Sequence, residues 1–233
     1  MTADLFAALT ACWPASETER LGPWTLRRGE GGRRTRAATL DGEVGNIAAA
    51  EDAIRAWGGV PLFLVRDDAA ALDAQLAARG YRVPDRVAIL GGAPGPLIGE
   101  RPDWAVVRCA LPLAAMVGIW GAGGAGPGRL AVMERVALPK IRLLARDGDR
   151  PAGCAFVDLW GGTAMLQALV VAPGHRRRGL GARLVREAAA WAVEQGAARL
   201  ALAVSRDNAA ALELYRGLGL AELAGYHYRE ASG

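Results

Sequence analysis

The chain has few of the residues that build metal sites and disulfide frameworks. Its two histidines are His175 and His227, and its three cysteines are Cys12, Cys109 and Cys154. Because no cluster of histidine and cysteine side chains is present, we expect no bound metal. An odd number of widely spaced cysteines argues against a disulfide framework and is typical of reduced thiols, so we expect a cytoplasmic protein.

Long apolar runs and concentrations of one charge are also missing. No segment reaches the ~18 consecutive apolar residues of a membrane-spanning helix. Acidic Asp4 lies near the start, where a secretory signal has basic residues. The net charge is only +4 and the basic residues are scattered along 233 positions, which disfavours a nucleic-acid-binding face. We therefore expect a chain that binds neither membrane nor nucleic acid, with enough apolar residues (52%) for a folded core.

A segment rich in glycine and proline divides the chain. It runs from Leu90 to Pro102 and includes Gly91-Gly92-Ala93-Pro94-Gly95-Pro96. Glycine and proline at this density interrupt both helices and strands. We predict an N-terminal domain over residues 1–92, a linker over 93–102 and a C-terminal domain over 103–233.

The turn Pro173–Ala182 is the strongest local signal of function. An apolar run over 164–171 predicts a buried strand before it, and apolar residues at helical spacing over 182–195 predict a helix after it. The first N–H groups of such a helix have no partner within the helix and attract anions. Because Gly179 and Gly181 carry no side chain, a ligand can approach the main chain closely. The turn therefore predicts a phosphate site.

Two common phosphate motifs do not fit this turn. A dinucleotide fingerprint requires a third glycine where Leu184 stands, and a P-loop requires a Gly-Lys-Ser/Thr ending that is absent. Three other elements occur in order: Val171-x-Pro173, then Arg176-x-x-Gly179-x-Gly181, then Asn208-x-x-Ala211-x-x-Leu214-Tyr215-x-x-x-Gly219-Leu220. This ordered set resembles the GNAT superfamily of acyl-CoA-dependent N-acyltransferases, and the resemblance covers roughly residues 103–228.

The resemblance implies an α/β (α+β) fold that is built on a mixed sheet, with a GNAT-like fold in the C-terminal half. The N-terminal half has a similar succession of strands (24–28, 34–40, 61–65, 86–90) and helices (47–57, 69–79), which suggests a smaller GNAT-like half in a tandem arrangement. Its turn over 41–46 contains Asp41 and Glu43, which would repel a pyrophosphate. We therefore expect no cofactor chemistry there. An unrelated α/β unit is the alternative, because this order of elements is common.

The resemblance also implies acetyl-CoA as cosubstrate and assigns its contacts. The N–H groups of the turn would bind the pyrophosphate, with the Arg176 side chain nearby, and the strand would pair with the pantetheine. The pyrophosphate residues are Arg177, Arg178, Gly179, Leu180, Gly181 and Ala182, and the strand residues are Leu169, Val170 and Val171. Asn208 either contacts the pantetheine or caps the following helix, for which asparagine is favoured.

Tyr215 matches the tyrosine that the family often uses as general acid, and the alternative is a core aromatic residue. No general base is evident. The polar residue in the preceding strand is Gln167, which cannot accept a proton, and Glu134, Asp158 and His227 have no motif to support them.

The expected activity is transfer of an acetyl group from acetyl-CoA to an amine, by direct attack in a ternary complex. A small-molecule or peptide amine would be the acceptor, and the protein would act as a monomer or homodimer. A non-catalytic CoA- or acyl-CoA-binding or interaction module is the alternative, because the missing base favours it. A nucleotide-binding regulator is a third possibility.

Overall fold

The computed structural model describes residues 2–99 and 106–232. The helices are α1 (Thr2–Ala11), α2 (Ile47–Ala56), α3 (Ala70–Ala78), α4 (Ala114–Ala122), α5 (Pro127–Arg135), α6 (Leu180–Glu194) and α7 (Ala209–Gly217). The strands are β1 (Glu17–Leu21), β2 (Trp24–Arg28), β3 (Thr39–Leu40), β4 (Leu62–Arg66), β5 (Arg86–Gly92), β6 (Val106–Cys109), β7 (Lys140–Asp147), β8 (Arg150–Trp160), β9 (Thr163–Val171), β10 (Arg199–Ser205) and β11 (Ala221–Glu230).

A mixed eight-stranded sheet in the order β4-β11-β5-β10-β9-β8-β7-β6 organises the molecule, and β1, β2 and β3 form a small separate sheet. The C-terminal strand β11 lies between β4 and β5, and β5 pairs with β10. Strands of the two halves are thus exchanged, and one sheet continues across the predicted linker. Residues 100–105, where that linker ends and the second domain begins, lie outside the described residues. The division into two domains stays a prediction.

The predicted strand over 34–40 is wrong. Residues Arg33–Thr35 form a short 3₁₀ helix, and only Thr39–Leu40 pair as β3. The cause lies just before this segment, where Gly31 and Gly32 have φ angles of 102° and 115° and turn the chain sharply. The other elements predicted for this half are present, with bounds that differ by at most two residues. Helices α1 and α5 were not predicted.

A bulge in β9 separates this strand from β10. Ala168 has a φ of 49°, and the pairing of β8 with β9 shifts between Cys154 and Phe156. The Trp120 indole donates a hydrogen bond of 2.8 Å to the Ala168 carbonyl, which holds the bulge. The parallel pairing of β9 with β10 covers only residues 163–165 and 199–201. The remainder of β9 therefore has an open edge on the side of β10.

An ion cluster joins the two halves of the chain. Asp73 on α3 accepts hydrogen bonds from His227 Nε2 at 2.6 Å and from Arg229 Nε at 2.7 Å, both on β11. The bond from Arg229, helped by the one from His227, lowers the pKa of Asp73 to about 2. A carboxyl group with a lowered pKa stabilises the fold above its unfolded pKa of ~3.9 and loses that contribution as the pH falls through its folded value.

We predict that Asp73→Asn lowers the free energy of unfolding at neutral pH by about 1 kcal/mol, a value reduced for solvent screening because the carboxylate is 35% exposed. The difference between wild type and variant should shrink as the pH falls from about 5 to 2. Urea unfolding at several pH values measures it. A difference that stays constant over this range would contradict the role of the ion cluster.

Candidate functional site

The turn between β9 and α6 presents free backbone donors. Arg177 and Gly179 have φ angles of 61° and 77°, and no side chain caps the start of α6. Within the described ranges, the N–H groups of residues 177–182 donate no backbone hydrogen bond. Six adjacent N–H groups at the positive end of a helix form a site that suits a pyrophosphate.

An ion cluster under the turn fixes its shape. Asp147 on β7 contacts His175 Nδ1 at 2.7 Å and accepts a hydrogen bond of 2.7 Å from Arg178 Nη1. The hydrogen bond with His175, followed by the charge of Arg178, lowers the pKa of Asp147. Arg176 Nε donates to the Val171 carbonyl at 3.3 Å. Two of the predicted arginine side chains thus have partners in the protein, so the main chain is the better pyrophosphate donor.

The two glycines of the motif have different roles. A Cβ atom on Gly181 would lie 2.9 Å from Leu214 Cδ2, so this glycine permits close packing of α6 against α7. At Gly179 a Cβ atom would meet nothing within 4 Å, but the left-handed conformation is one that other residues rarely adopt. Gly179 therefore sets the turn, and Gly181 sets the helix packing.

A cavity of about 470 Å³ opens between the diverging strands β9 and β10. Both halves of the chain line it. The C-terminal half contributes Leu166, Gln167, Ala168, Leu169, Leu202, Ala203, Val204, Ser205, Asn208, Ala211, Leu214, Tyr215, Tyr226, Tyr228 and Arg129, and the N-terminal half contributes Trp13, Gly31, Gly32, Arg33, Arg34, Asp85 and Val87.

The predicted residues of α7 and β9 meet at this cavity. Tyr215 is 7% exposed, and burial raises its pKa to about 12, so its hydroxyl stays protonated at neutral pH. Asn208 Oδ1 accepts a hydrogen bond of 3.2 Å from the Ala211 N–H and caps α7. Leu169 lines the cavity, and Val170 and Val171 continue the open edge of β9 toward the turn.

A polar network lies behind the cavity wall. Gln167 Nε2 donates to Asp158 Oδ1 at 3.1 Å and to the Cys12 carbonyl at 2.5 Å, and its Oε1 accepts from Arg34 Nη1 at 2.8 Å. Asp158 is fully buried, and this burial raises the pKa of Asp158 to about 7. Gln167 lines the cavity, whereas Asp158, to which it is hydrogen-bonded, does not.

The other base candidates named from the sequence bond elsewhere. Glu134 accepts a hydrogen bond of 2.6 Å from Arg142, and His227 contacts Asp73. Asp85 is a carboxylate that does line the cavity, and it accepts a hydrogen bond of 2.8 Å from Ser205 Oγ. Sequence reasoning missed Asp85, which no motif marks. It also missed Arg34, although the run Gly31-Gly32-Arg33-Arg34 is itself a turn rich in glycine and arginine.

Two absences hold for the described part of the chain. No group of three or more histidine, cysteine, aspartate or glutamate side chains is arranged to hold a metal ion there. Among the helices of the same residues, none combines the length and apolar character that crossing a membrane requires.

The model of the acetyltransferase (GNAT) family matches residues 130–220, which include β9, the turn, α6, β10 and α7. The chain is thus similar to the GNAT family over this segment. An uncharacterized N-acetyltransferase, YobR of Bacillus subtilis (strain 168), is 32% identical over 98 residues, which are 42% of this chain and 40% of that protein. Streptothricin acetyltransferase of Streptomyces lavendulae is 44% identical over 77 residues, 32% of this chain and 40% of that protein. The chain thus spans about 40% of the length of these curated relatives.

Solved structures extend the likeness of the GNAT fold to the N-terminal half. A GCN5-related N-acetyltransferase from Kribbella flavida superposes with a TM-score of 0.77 at 21% identity, over 100% of this chain and 96% of that one. A tandem GNAT protein from the clavulanic acid biosynthesis pathway has a TM-score of 0.65 at 14% identity, over 99% of this chain and 87% of that one. Because these sequence identities are low, the two similarities show the fold alone. The predicted α/β fold with a mixed sheet, GNAT-like in both halves, is confirmed.

Proposed function

We propose that the chain is an acetyl-CoA-dependent N-acetyltransferase that transfers the acetyl group to an amine by direct attack in a ternary complex. One observation carries the proposal. The open edge of β9 runs from the free N–H groups of residues 177–182 to the cavity that Tyr215 lines. This path matches the order of groups in acetyl-CoA, from pyrophosphate through the pantetheine arm to the thioester.

The residues of this path fit the groups of acetyl-CoA. Main-chain N–H groups from Arg177 to Ala182 would bind the pyrophosphate, with Arg176 as an added charge. Main-chain groups of Leu169, Val170 and Val171 would pair with the amides of the pantetheine as an added strand would. Asn208 caps α7 through Oδ1 and also lines the cavity, so its Nδ2 would donate to the pantetheine without loss of the cap.

The chemistry requires one proton acceptor and one proton donor. The amine nitrogen attacks the thioester carbonyl carbon, a C–N bond forms, and the C–S bond breaks. Asp85 takes the proton that the amine loses, directly or through a water molecule, and the Tyr215 hydroxyl donates a proton to the departing sulfur. General acid and base groups of this kind each contribute about 10²–10⁴ in rate.

An assay of coenzyme A thiol release over a panel of amines, with mass spectrometry of the products, tests the proposal. We expect at least one amine to be acetylated, with release of one coenzyme A thiol for each acetylated product. Binding of acetyl-CoA without turnover of any amine would favour the alternative, a non-catalytic CoA-binding or interaction module. The same proposal divides the chain into domains over residues 1–92 and 103–233 and expects a monomer or homodimer. It also expects a cytoplasmic location, with which the three free cysteines are consistent.

We predict that Asp85→Asn lowers kcat/KM for the amine by about 100-fold or more at neutral pH, because the variant cannot accept the proton. The dissociation constant of acetyl-CoA should change by less than about threefold, since the path for acetyl-CoA lies on β9 and α6. Steady-state kinetics and calorimetry measure the two quantities. Asp207→Asn, an exposed neighbour of α7, is the control, and an Asp85→Asn enzyme of normal activity would remove this residue from the mechanism.

A further inference from the structure

The charge of the cavity wall comes mostly from one turn of the N-terminal half. Arg33 and Arg34 line the cavity, Arg129 of α5 adds a third guanidinium, and Asp85 is the one acidic residue among the described lining residues. Arg34 donates a hydrogen bond to Gln167, 133 positions away in the sequence. We call Arg33, Arg34 and Arg129 the cationic wall of the cavity.

The cationic wall forms no direct ion pair with the described residues, and its nearest link to a carboxylate runs from Arg34 through Gln167 to buried Asp158. No carboxylate lies within 4.0 Å of the side-chain nitrogens of Arg33, Arg34 or Arg129 there, and the Nε atoms of Arg33 and Arg34 are buried without a hydrogen-bond partner. Guanidinium charges that line a cavity without an ion-pair partner favour an anion that enters the cavity.

The turn holds its arginines in place before any ligand arrives. The Arg34 guanidinium lies 5.7 Å from the centre of the Trp13 ring and donates to Gln167. The buried Thr35 hydroxyl donates to the Glu30 carbonyl at 2.8 Å. A Cβ atom on Gly31 would lie 2.5 Å from Val132 Cγ2, which shows how closely the turn packs against α5. Preorganised donors lose little entropy on binding.

The negative charge of the cavity comes from a different segment of the chain. Asp85 lies just before β5 and accepts a hydrogen bond from Ser205 Oγ at the end of β10. Tyr228 and Tyr215 line the same cavity. An acceptor with both an amino group and an anionic group would pair with both charges of the cavity at once.

We infer that the acceptor is an amine that also carries a carboxylate, which Arg33 and Arg34 bind while the amino group faces Asp85 and Tyr215. The inference rests on the proposed function. It disfavours polyamines and aminoglycosides, because cations of high charge would be repelled by the three arginines. It also gives the N-terminal half a role, which is to select the acceptor for the site of the C-terminal half.

Matched conjugates test the inference without requiring turnover. Coenzyme A is linked through its sulfur by an S–CH₂–CO group to the amino group of glycine, β-alanine, phenylalanine or glutamate, and each conjugate is paired with its carboxamide. Calorimetry with the full chain should show that carboxylates bind about 10- to 100-fold tighter than carboxamides in at least one pair, as a charged hydrogen-bond pair contributes. Equal or weaker binding of the carboxylate in all four pairs would overturn the inference.

Variants of the turn identify the residue responsible. Arg34→Gln should reduce the affinity ratio between the carboxylate and carboxamide conjugates to less than about threefold. Arg34→Lys should restore part of this ratio. Arg36→Gln is the matched control, because Arg36 is exposed on the same turn and does not line the cavity. An affinity ratio that survives Arg34→Gln and the double variant Arg33→Gln/Arg34→Gln would contradict the assignment. Unmodified coenzyme A separates the two claims, because failure to bind it would refute the proposed function itself.

Discussion

Replacing Tyr215 with phenylalanine should lower kcat by about 100-fold or more and leave the dissociation constant of acetyl-CoA within about threefold. The phenol is buried at the end of the path along β9, and its raised pKa of about 12 keeps the proton on the oxygen at neutral pH. The variant keeps the ring and loses only the hydroxyl that we propose as the proton donor to the departing sulfur. Single-turnover kinetics at saturating acetyl-CoA measure the chemical step directly.

The same experiment separates catalysis from packing. A ring that only packs α7 would contribute to stability and cofactor affinity together, so equal losses of kcat and of acetyl-CoA affinity would assign Tyr215 to the core. The melting temperature of Tyr215→Phe should stay close to that of the wild type, since the hydroxyl has no hydrogen-bond partner among the described residues.

Replacing Gly179 with aspartate should weaken acetyl-CoA binding by about 100-fold or more. The new carboxylate would lie beside the N–H groups that we propose for the pyrophosphate, and two negative charges there would repel each other. Gly179 is in the left-handed conformation with no atom within 4 Å of a new Cβ. Aspartate and asparagine tolerate this conformation better than most residues and are favoured at the start of a helix, so both variants should fold.

Gly179→Asn is the matched control for the charge. It has the same size and the same backbone strain as aspartate, and we expect it to lose less than about tenfold in affinity. Calorimetry with acetyl-CoA compares the two variants. Equal losses in Gly179→Asp and Gly179→Asn would mean that backbone geometry, rather than charge, governs this position.

Local motifs are the part of the site that the sequence could reveal. The turn, α6 and α7 follow one another within 50 residues, so their spacing along the chain is also their arrangement in space. The free N–H groups follow from the start of a helix after a glycine in the left-handed conformation, which needs no distant contact. Leu169 and Tyr215 could be assigned because they are tied to these elements by a few residues.

The cavity residues Arg34 and Asp85 could not be assigned in this way, because segments that are distant in the sequence bring them to the cavity. Arg34 meets Gln167 across 133 positions, and Asp85 meets Ser205 across 120. Asp85 meets Ser205 because β5 pairs with β10, and Arg34 meets Gln167 because the turn over 31–35 packs against β9. Neither contact leaves a local pattern in the sequence. The misassigned strand over 34–40 also hid the turn, since Gly31 and Gly32 have conformations that glycine alone commonly adopts.

Thermal unfolding of the full chain with acetyl-CoA, and with NAD and ATP as controls, tests the central claim most directly. At about 100 times its dissociation constant a ligand adds ~2.7 kcal/mol, which corresponds to a rise of about 5–10 °C in the melting temperature of a chain of this size. We predict that rise with acetyl-CoA, a much smaller one in Gly179→Asp, and none with NAD or ATP. An unchanged melting temperature in folded protein with saturating acetyl-CoA, or a rise with ATP or NAD instead, would contradict an acetyl-CoA site.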